Sequence, residues 1–452
     1  MQGIILAGGY GKKLFPYSEH WQKSCIPVGN IPNISRTVDL LQQSGIDKIK
    51  VVIGYKGQQV KYALRNKDVE YLELLSGNLM SAIESLLNQD SLIVYGDVVM
   101  NLTDINRLID AYYEEKSPTI LYNDFSKYER AIDWISCYVD NDEIKSIYGH
   151  PREHYVNSKV SGAFILNQYY KKYISSNPGY MKNVVTGGMP PNEDYLEQSI
   201  QMMIEDDILI RRIKAKYKPI DLDKPWHILE ANELIISNEV ANLTKDEIGT
   251  GSIIHSSAIV EGHIKMGQNS YIGKNVIIKG NVVIGDNTSI DYGAIIDGNV
   301  IIGNHTTITD YCKIKPFTTI GDKNKIGYNG EVEGITFHGV SIVHNAEIYG
   351  VVGQYTDIGA GTLVGSLRFD DCLNTVNING KQELGSKYTN AVFIGDHCRT
   401  GIGSLLLPGV MIGKNSAIGP GAIVSENVPS NTLLMVEQSH SYKYWGPERY
   451  GW

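Results

Sequence analysis

No apolar run in the 452-residue sequence approaches the roughly 20 residues that a bilayer-spanning helix needs, so no membrane partner is expected. The start, MQGIILAGG, lacks a basic segment and a small-residue cleavage site, and reads as a first strand rather than a signal peptide. Cysteine is scarce. Cys25, Cys137, Cys312, Cys372 and Cys398 are odd in number, scattered and free of metal-site spacing. That pattern speaks against a disulfide framework and for a reduced, cytoplasmic setting. Positive charge is not in excess: the formal charge of −9 argues against a nucleic-acid polymer as partner, while leaving room for a local basic pocket. What remains is an ordinary globular composition, 42% hydrophobic and 20% charged, in a chain too long for one core and comfortable for two domains.

Glycine, by contrast, is abundant at 46 residues, and a repeat accounts for much of it. From Ile254 to Val332 every sixth residue is apolar, and segments such as IGKNVI, IGDNTS and IGNHTT place Gly directly after it. Neither an α-helix nor an alternating strand has that period. Short strands separated by tight turns do, stacked as a hexapeptide β-helix with the sixth-residue aliphatics in one interior column. After Val332 the column changes phase and resumes at Val352, Ile358 and Val364. The slipped segment, 333–351, contains His338 and His344. A polar interruption at 366–390 reads as a loop thrown out of the solenoid. The column returns at Ile394, Leu406, Ile412, Ile418 and Val424, with Thr400 as its exception. Interruptions of a regular scaffold are where function is expected. The aromatic tail, HSYKYWGPERYGW, is expected to pack on a neighbour or on the last coil.

The first half alternates strand and helix patterns: QGIILAGG, then SRTVDLLQQSG, DKIKVVIGY, AIESLLNQ and SLIVYGDVVM. This order predicts an α/β domain with a mostly parallel sheet and ligands beyond the carboxyl ends of its strands. The expected division is 1–228 for this domain, 229–247 for a linker helix, 248–426 for the β-helix and 427–452 for the tail.

LAGGYGKKLFP, from Leu6 and Ala7 onward, follows the first strand. Gly8, Gly9 and Gly11 let backbone N–H groups approach phosphate oxygens, and Lys12 and Lys13 add positive charge beside them. Lys23, in QKSCIPVGNIP, is placed to reach the same phosphates. Asp97 ends a buried strand. A glycine loop alone is weak evidence. Asp97 alone also fits a helix N-cap, and Asp221 alone a solvated loop acid.

Together these segments resemble the signature of the sugar-1-phosphate nucleotidyltransferases, LAxGxGxRL…PKxxxPVxxxP. Lys13 stands where that family usually has Arg, and Gln22 where it has Pro. The resemblance implies a Rossmann-like domain that transfers a nucleotidyl group from an NTP to a sugar-1-phosphate. VYGDVVM would place one Mg²⁺ ligand at Asp97. KPIDLDKPW, similar to the family's DIGKPW segment, would place the second at Asp221, with Asp223 where Gly is usual. Lys13 would stabilise leaving pyrophosphate and Lys23 the phosphates at the reaction centre. Asn78 and Ser81, in SGNLMSAI, resemble instead cytidylyltransferases acting on alcohol phosphates, so a CTP-using enzyme is the alternative. His150 in Gly149-His150-Pro151, and Ser161 and Gly162 in Val160-Ser161-Gly162, stand where the family contacts sugar and phosphate.

The repeat resembles the left-handed parallel β-helix of hexapeptide acyltransferases, which usually trimerise and bind acyl-CoA between subunits. The whole chain is similar to bifunctional N-acetylglucosamine-1-phosphate uridyltransferase/glucosamine-1-phosphate acetyltransferases, most closely the archaeal type, through IGAGTLVGSLRFDD and AVFIGDHCRTGIGSLLLPGVMIG. That implies a homotrimer and acetyl-CoA as co-substrate. His344 would be the base for an attacking sugar amine, and Ser366, Arg368 and Arg399 would face acetyl-CoA or its acceptor. The family's Asn in NLRFD is Ser366 here and a lysine expected soon after is Cys372. A β-helix that only assembles or regulates the enzyme is the competing reading.

Overall fold

The computed structural model describes residues 1–74, 79–140, 143–184, 195–378, 381–383 and 385–450. Its first half is built on a nine-stranded sheet. Gln2–Ala7 is central and buried throughout. It pairs in parallel with Ile49–Ile53 on one side and Ser91–Tyr95 on the other. Glu70–Glu73 extends the parallel half. The other half is different: Ser158–Leu166 runs antiparallel to Ser91–Tyr95, Thr119–Asp124 and Ile135–Asp140. The sheet is therefore mixed rather than mostly parallel. The sequence pattern misses this because a strand buried on both faces carries no mark of its direction. Helices Asn33–Gln43 and Leu102–Glu115 turn apolar faces onto the sheet, burying Ile34, Val38, Leu41, Ile105 and Leu108. Among the described residues no helix is long and apolar enough to cross a membrane, and all five cysteines are free.

The connecting helix is Pro225–Glu239, starting and ending earlier than its hydrophobic pattern suggests. Pro225 sits at its first turn, where the missing N–H costs nothing. The solenoid begins at Glu247–Ile248. Parallel registers such as Ile264↔Val282↔Val300 fix a coil of 18 residues, three short strands each. The predicted column is buried from Met266 onward, with Ile272, Ile278, Ile290, Ile296, Ile308, Ile314, Ile320 and Ile326 fully enclosed, while Ile254 at its start is 38% exposed. Buried hydroxyls at the corners are satisfied by carbonyls of the next coil, as in Thr288 Oγ1 to Gly303 O at 2.7 Å and Thr306 Oγ1 to Gly321 O at 2.8 Å. Thr400 stays buried in the column by a different means: its hydroxyl shares a 2.8 Å bond with that of Thr362 and accepts from Gly359 N–H at 2.9 Å.

The phase slip is a structural device. Glu331–Thr336 and Glu347–Val352 are continuous six-residue strands, and the registers Ile320↔Thr336 and Thr336↔Val352 shorten the coil by two residues. One corner is flattened at Gly334 (φ +120°) and again at Gly350 (φ +148°). A Cβ on Gly350 would lie 1.9 Å from Val392 O, so only glycine passes there. The flattened face receives the first domain. Tyr17, Trp226, Phe337, Val351 and Phe393 share one hydrophobic core, and Tyr17 donates to Val351 O at 2.8 Å. Trp21 and His20 both reach Asp396 Oδ2 at 2.8 Å.

The second interruption is not a plain loop. It contains the hairpin Val376–Ile378 with Lys381–Glu383, and Val376 and Ile378 are buried in that same interface. The tail sends Leu433–Leu434 onto Ala417–Ile418, but Tyr442 and Tyr444 remain 94% and 73% exposed.

Gly350→Ala is expected to lower stability by about 2–5 kcal/mol, the sum of a left-handed backbone cost and a backbone clash. Urea unfolding of the purified variant checks this; an unchanged midpoint contradicts the flattened-corner account.

Candidate active site

The site forms where three chain segments meet at the carboxyl ends of the parallel strands, the place ligands occupy in such sheets. The first is the turn after Gln2–Ala7. Gly11 takes φ +62°, and a Cβ there would sit 3.2 Å from Lys23 Cβ, so the loop can lie against Lys23 only because position 11 is glycine. Gly9 and Lys12 are exposed at its rim, with Lys12 over the Tyr10 ring. The second segment is the short turn Lys23–Cys25. Gln22 is fully buried. Its amide donates to Ala7 O at 2.9 Å and its carbonyl accepts from Ser24 N at 2.6 Å, fixing the lysine turn to the end of the first strand.

The third segment carries the acids. Asp97 follows Ser91–Tyr95 in a tight turn, and the two-residue strand Ile220–Asp221 pairs antiparallel with Val98–Val99. Leu222 N–H then donates to Asp97 O at 3.0 Å. This register sets the two carboxylates side by side. Lys23 Nζ lies 2.8 Å from Asp97 Oδ2 and 2.8 Å from Asp221 Oδ1, and 3.6 Å from Asp223 Oδ1. Lys13 Nζ reaches Asp223 Oδ2 at 3.5 Å and Lys224 Nζ reaches it at 2.7 Å. Three lysines and three aspartates thus pair with one another in a half-dry cluster.

Protonation follows from that balance. Burial alone would depress the Lys23 ammonium, but Asp221, Asp97 and Asp223 hold it well above its ordinary range. Burial, and the charges of Asp97 and Asp223, raise the Asp221 carboxyl despite Lys23. Burial acts upward on Asp223 too, yet Lys23, Lys224 and Lys13 keep it well below the usual carboxylate range. The chemistry of two carboxylates converging on one cation fits a divalent metal that takes few protein ligands. Among the described residues no denser group of His, Cys, Asp and Glu is assembled.

A second cluster borders the first. Lys159, 4% exposed, pairs with Glu129 and lies 3.8 Å from the Trp134 ring centre. Lys218 reaches Glu129 at 3.4 Å. His227 packs on Trp134, and burial pushes its imidazole down to about 3, so the ring is neutral and accepts from Lys224 N. Tyr95 donates to buried Glu197 at 2.8 Å, whose carboxyl burial pushes up. Ser161 is buried and donates to Asn123 at 2.7 Å. Gly162 (φ +71°) occupies a bulge against Tyr95, where a Cβ would come within 2.7 Å of the ring. His150 is in a left-handed turn with its Nδ1 3.1 Å from Ile132 O. Ser81 is exposed in the first turn of Leu79–Leu86, and Asn78 lies outside the described residues.

The structure thus brings Lys13, Lys23, Asp97 and Asp221 together. Sequence reasoning passed over Lys159, Glu129, Tyr95, Glu197 and Lys224. Only Lys224 carried a signal, in the KPW motif; the others are single polar residues in strands or helices. On the β-helix, His344 is exposed at φ +62° with its ring stacked on Tyr328 at 4.7 Å. Arg368 is exposed and grips Asp370 through Nε and Nη2, at 2.9 and 2.8 Å, and Asn374 through Nη1. Ser366 and Arg399 are also exposed.

Fold and site define a nucleotidyl-transfer domain fused to a hexapeptide left-handed β-helix. Residues 3–154 match the MobA-like NTP transferase domain, and 263–298 and 391–426 match the bacterial transferase hexapeptide (six repeats). Over nearly all of its length the chain is similar to proteins named as bifunctional. It is 28% identical to the bifunctional sugar-1-phosphate nucleotidylyltransferase/acetyltransferase of Sulfurisphaera tokodaii, over 95% of this chain and 98% of that one. It is 26% identical to the bifunctional protein GlmU of Methanococcus vannielii, over 96% and 97%, and 27% identical to that of Saccharophagus degradans, over 97% of each.

Lys159 and Glu129 give a pH-dependent test. Burial opposes ionisation of Glu129, but Lys159 and Lys218 bring its carboxyl down to about 2, below the ordinary value near 4.3. Its pairing therefore stabilises the fold fully above pH ~4.3, and that contribution is lost as pH falls toward 2. Glu129→Gln strands a buried ammonium and is expected to cost about 3–5 kcal/mol at pH 7. The gap to the parent should close between pH 4.3 and 2 in denaturant titrations; a gap that stays constant to pH 2 refutes the assignment.

Proposed function

We propose that residues 1–228 transfer a nucleotidyl group from an NTP to a sugar-1-phosphate, releasing pyrophosphate. A sugar-phosphate oxygen attacks the α-phosphorus, a P–O bond forms, and the bond to the β-phosphate bridge breaks. No covalent enzyme intermediate is required; the work is alignment of anions and neutralisation of charge. The observation that carries this reading is the single ammonium of Lys23 lying 2.8 Å from both Asp97 and Asp221. Mg²⁺, held by those two carboxylates, would supply neutralisation of the triphosphate oxygens. Lys23, released from the carboxylates, turns to the phosphates near the reaction centre. Lys13, oriented by Asp223, faces the departing pyrophosphate. The N–H groups of the 8–11 turn cradle the triphosphate, with Lys12 at its rim. His150, Ser161 and Gly162 border the sugar-phosphate side, where the neighbouring Lys159 adds positive charge. The cytidine alternative rests on Asn78 and Ser81 and is decided by the nucleotide panel below.

The β-helix is assigned acetyl-CoA-dependent N-acetylation of an amino-sugar phosphate. His344, its ring held against Tyr328, is the base for the sugar amine, and Ser366, Arg368 and Arg399 line the acyl-donor side. A homotrimer suits its surface: Leu363, Leu405 and Ile423 follow one another in register on the outer face and are 42%, 38% and 63% exposed. One observation favours the assembly-only reading. Three of the Arg368 N–H directions are already spent on Asp370 and Asn374.

Asp97→Ala and Asp221→Ala are each expected to slow pyrophosphate release by at least about 100-fold, scored with four nucleotides against a set of sugar and alcohol phosphates. Parental rates in both folded variants end this reading. For the second site, His344→Ala should abolish acetyl-CoA turnover while leaving pyrophosphate release intact; if the parent turns over no acetyl-CoA, the β-helix is an assembly module.

A further inference from the structure

The 366–390 excursion carries an acid, Glu383, that reaches into the other domain. Glu383 closes the hairpin opposite Val376. Val376 and Ile378 are anchored in the interdomain core. Arg130 donates to Gln382 O at 3.1 Å, and Tyr388 donates to Glu233 on the connecting helix at 2.8 Å. Pinned at these points, Glu383 Oε2 lies 2.8 Å from Lys224 Nζ, with both side chains nearly inaccessible, 7% and 3% exposed. The same ammonium lies 2.7 Å from Asp223 Oδ2. Asp223 in turn holds Lys13 at 3.5 Å and faces Lys23 at 3.6 Å. An unbroken line of charges therefore runs from the β-helix to the two lysines of the phosphate site.

We propose that Glu383 is a positioning residue for nucleotidyl transfer, supplied by the β-helix. It shares the Lys224 ammonium with Asp223 and so sets how much of the Asp223 charge is left to place Lys13 and Lys23. This rests on the roles given above to those two lysines. Without the Glu383 carboxylate, a buried ammonium leans on Asp223 alone. Asp223 is then taken up by Lys224, and its hold on Lys13 loosens. The excursion that looks like an ornament of the solenoid completes the electrostatics of the first active site.

Two variants separate positioning from support. Glu383→Gln keeps shape and removes charge. Glu383→Gln with Lys224→Met removes both charges and leaves no buried ion unpaired. Thermal midpoint, kcat and KM for pyrophosphate release, and the labelling rate of Lys13 by an amine-reactive anhydride, read by mass spectrometry, are measured on the full chain. Glu383→Gln should lose about 10-fold to 100-fold in kcat and label faster at Lys13. The double variant should regain the parental midpoint and label Lys13 more slowly than the parent, because Asp223 then has no Lys224 to serve. Parental kcat and Lys13 labelling in Glu383→Gln overturn the proposal. So does a double variant that labels Lys13 at the parental rate, because that makes the pair a mere brace. If Glu383→Gln does not fold, the double variant decides alone. A parent that releases no pyrophosphate with any nucleotide defeats the functional reading instead, and Lys13 labelling still tests the link.

Discussion

One ammonium shared between two carboxylates organises the first half of this protein. Lys23 can meet Asp97 and Asp221 only because a turn after the first strand, a turn after its parallel neighbour and a two-residue strand near the connecting helix all end at one point. Each of those positions is enforced locally. Gln22 ties the lysine turn to Ala7, the Asp221–Val98 register pairs the acids, and Pro225 starts a helix just beyond Asp223. With Glu383 included, four carboxylates face three lysines in the cluster. Anything that brings a triphosphate into it must carry compensating positive charge or displace a lysine from a carboxylate.

The two halves are not joined by a linker alone. The solenoid narrows where the first domain lies against it. Gly334 and Gly350 flatten one corner, and Tyr17, Trp226, Phe337, Val351 and Phe393 fill the resulting interface. Polar contacts flank it: Trp21 and His20 on Asp396, Asn30 on Asp322 at 2.9 Å, and Asn232 between Gly29 N and Phe317 O. Both departures from the six-residue period thus meet the other domain. A regular coil has no reason to break its repeat, so a break records a contact the repeat itself cannot make.

The six-residue column and the glycine turn were legible in sequence because each is a local pattern with one physical cause, an inward side chain or a close backbone approach. Lys13, Lys23, Asp97 and Asp221 were legible because three short motifs carry them. The direction of Ser158–Leu166 was not, since burial on both faces erases strand polarity. Nor were Lys159 and Glu129, each a lone ion in a stretch whose partner is distant in the chain. Glu383 is the extreme case: nothing around it in a polar segment points to Lys224. His338 and His344 drew attention by lying in the slipped segment, whereas the slip itself serves the domain interface. The nucleotide base stays tied to Asn78 and Ser81, the first outside the described residues and the second exposed.

The shared interface also fixes where this chain can be cut. A fragment ending before the solenoid would lay bare Tyr17, Trp226 and the apolar face of the connecting helix, and would leave Lys224 facing water in place of Glu383. The boundary visible in the repeat is therefore a border of pattern, while the unit of folding runs across it.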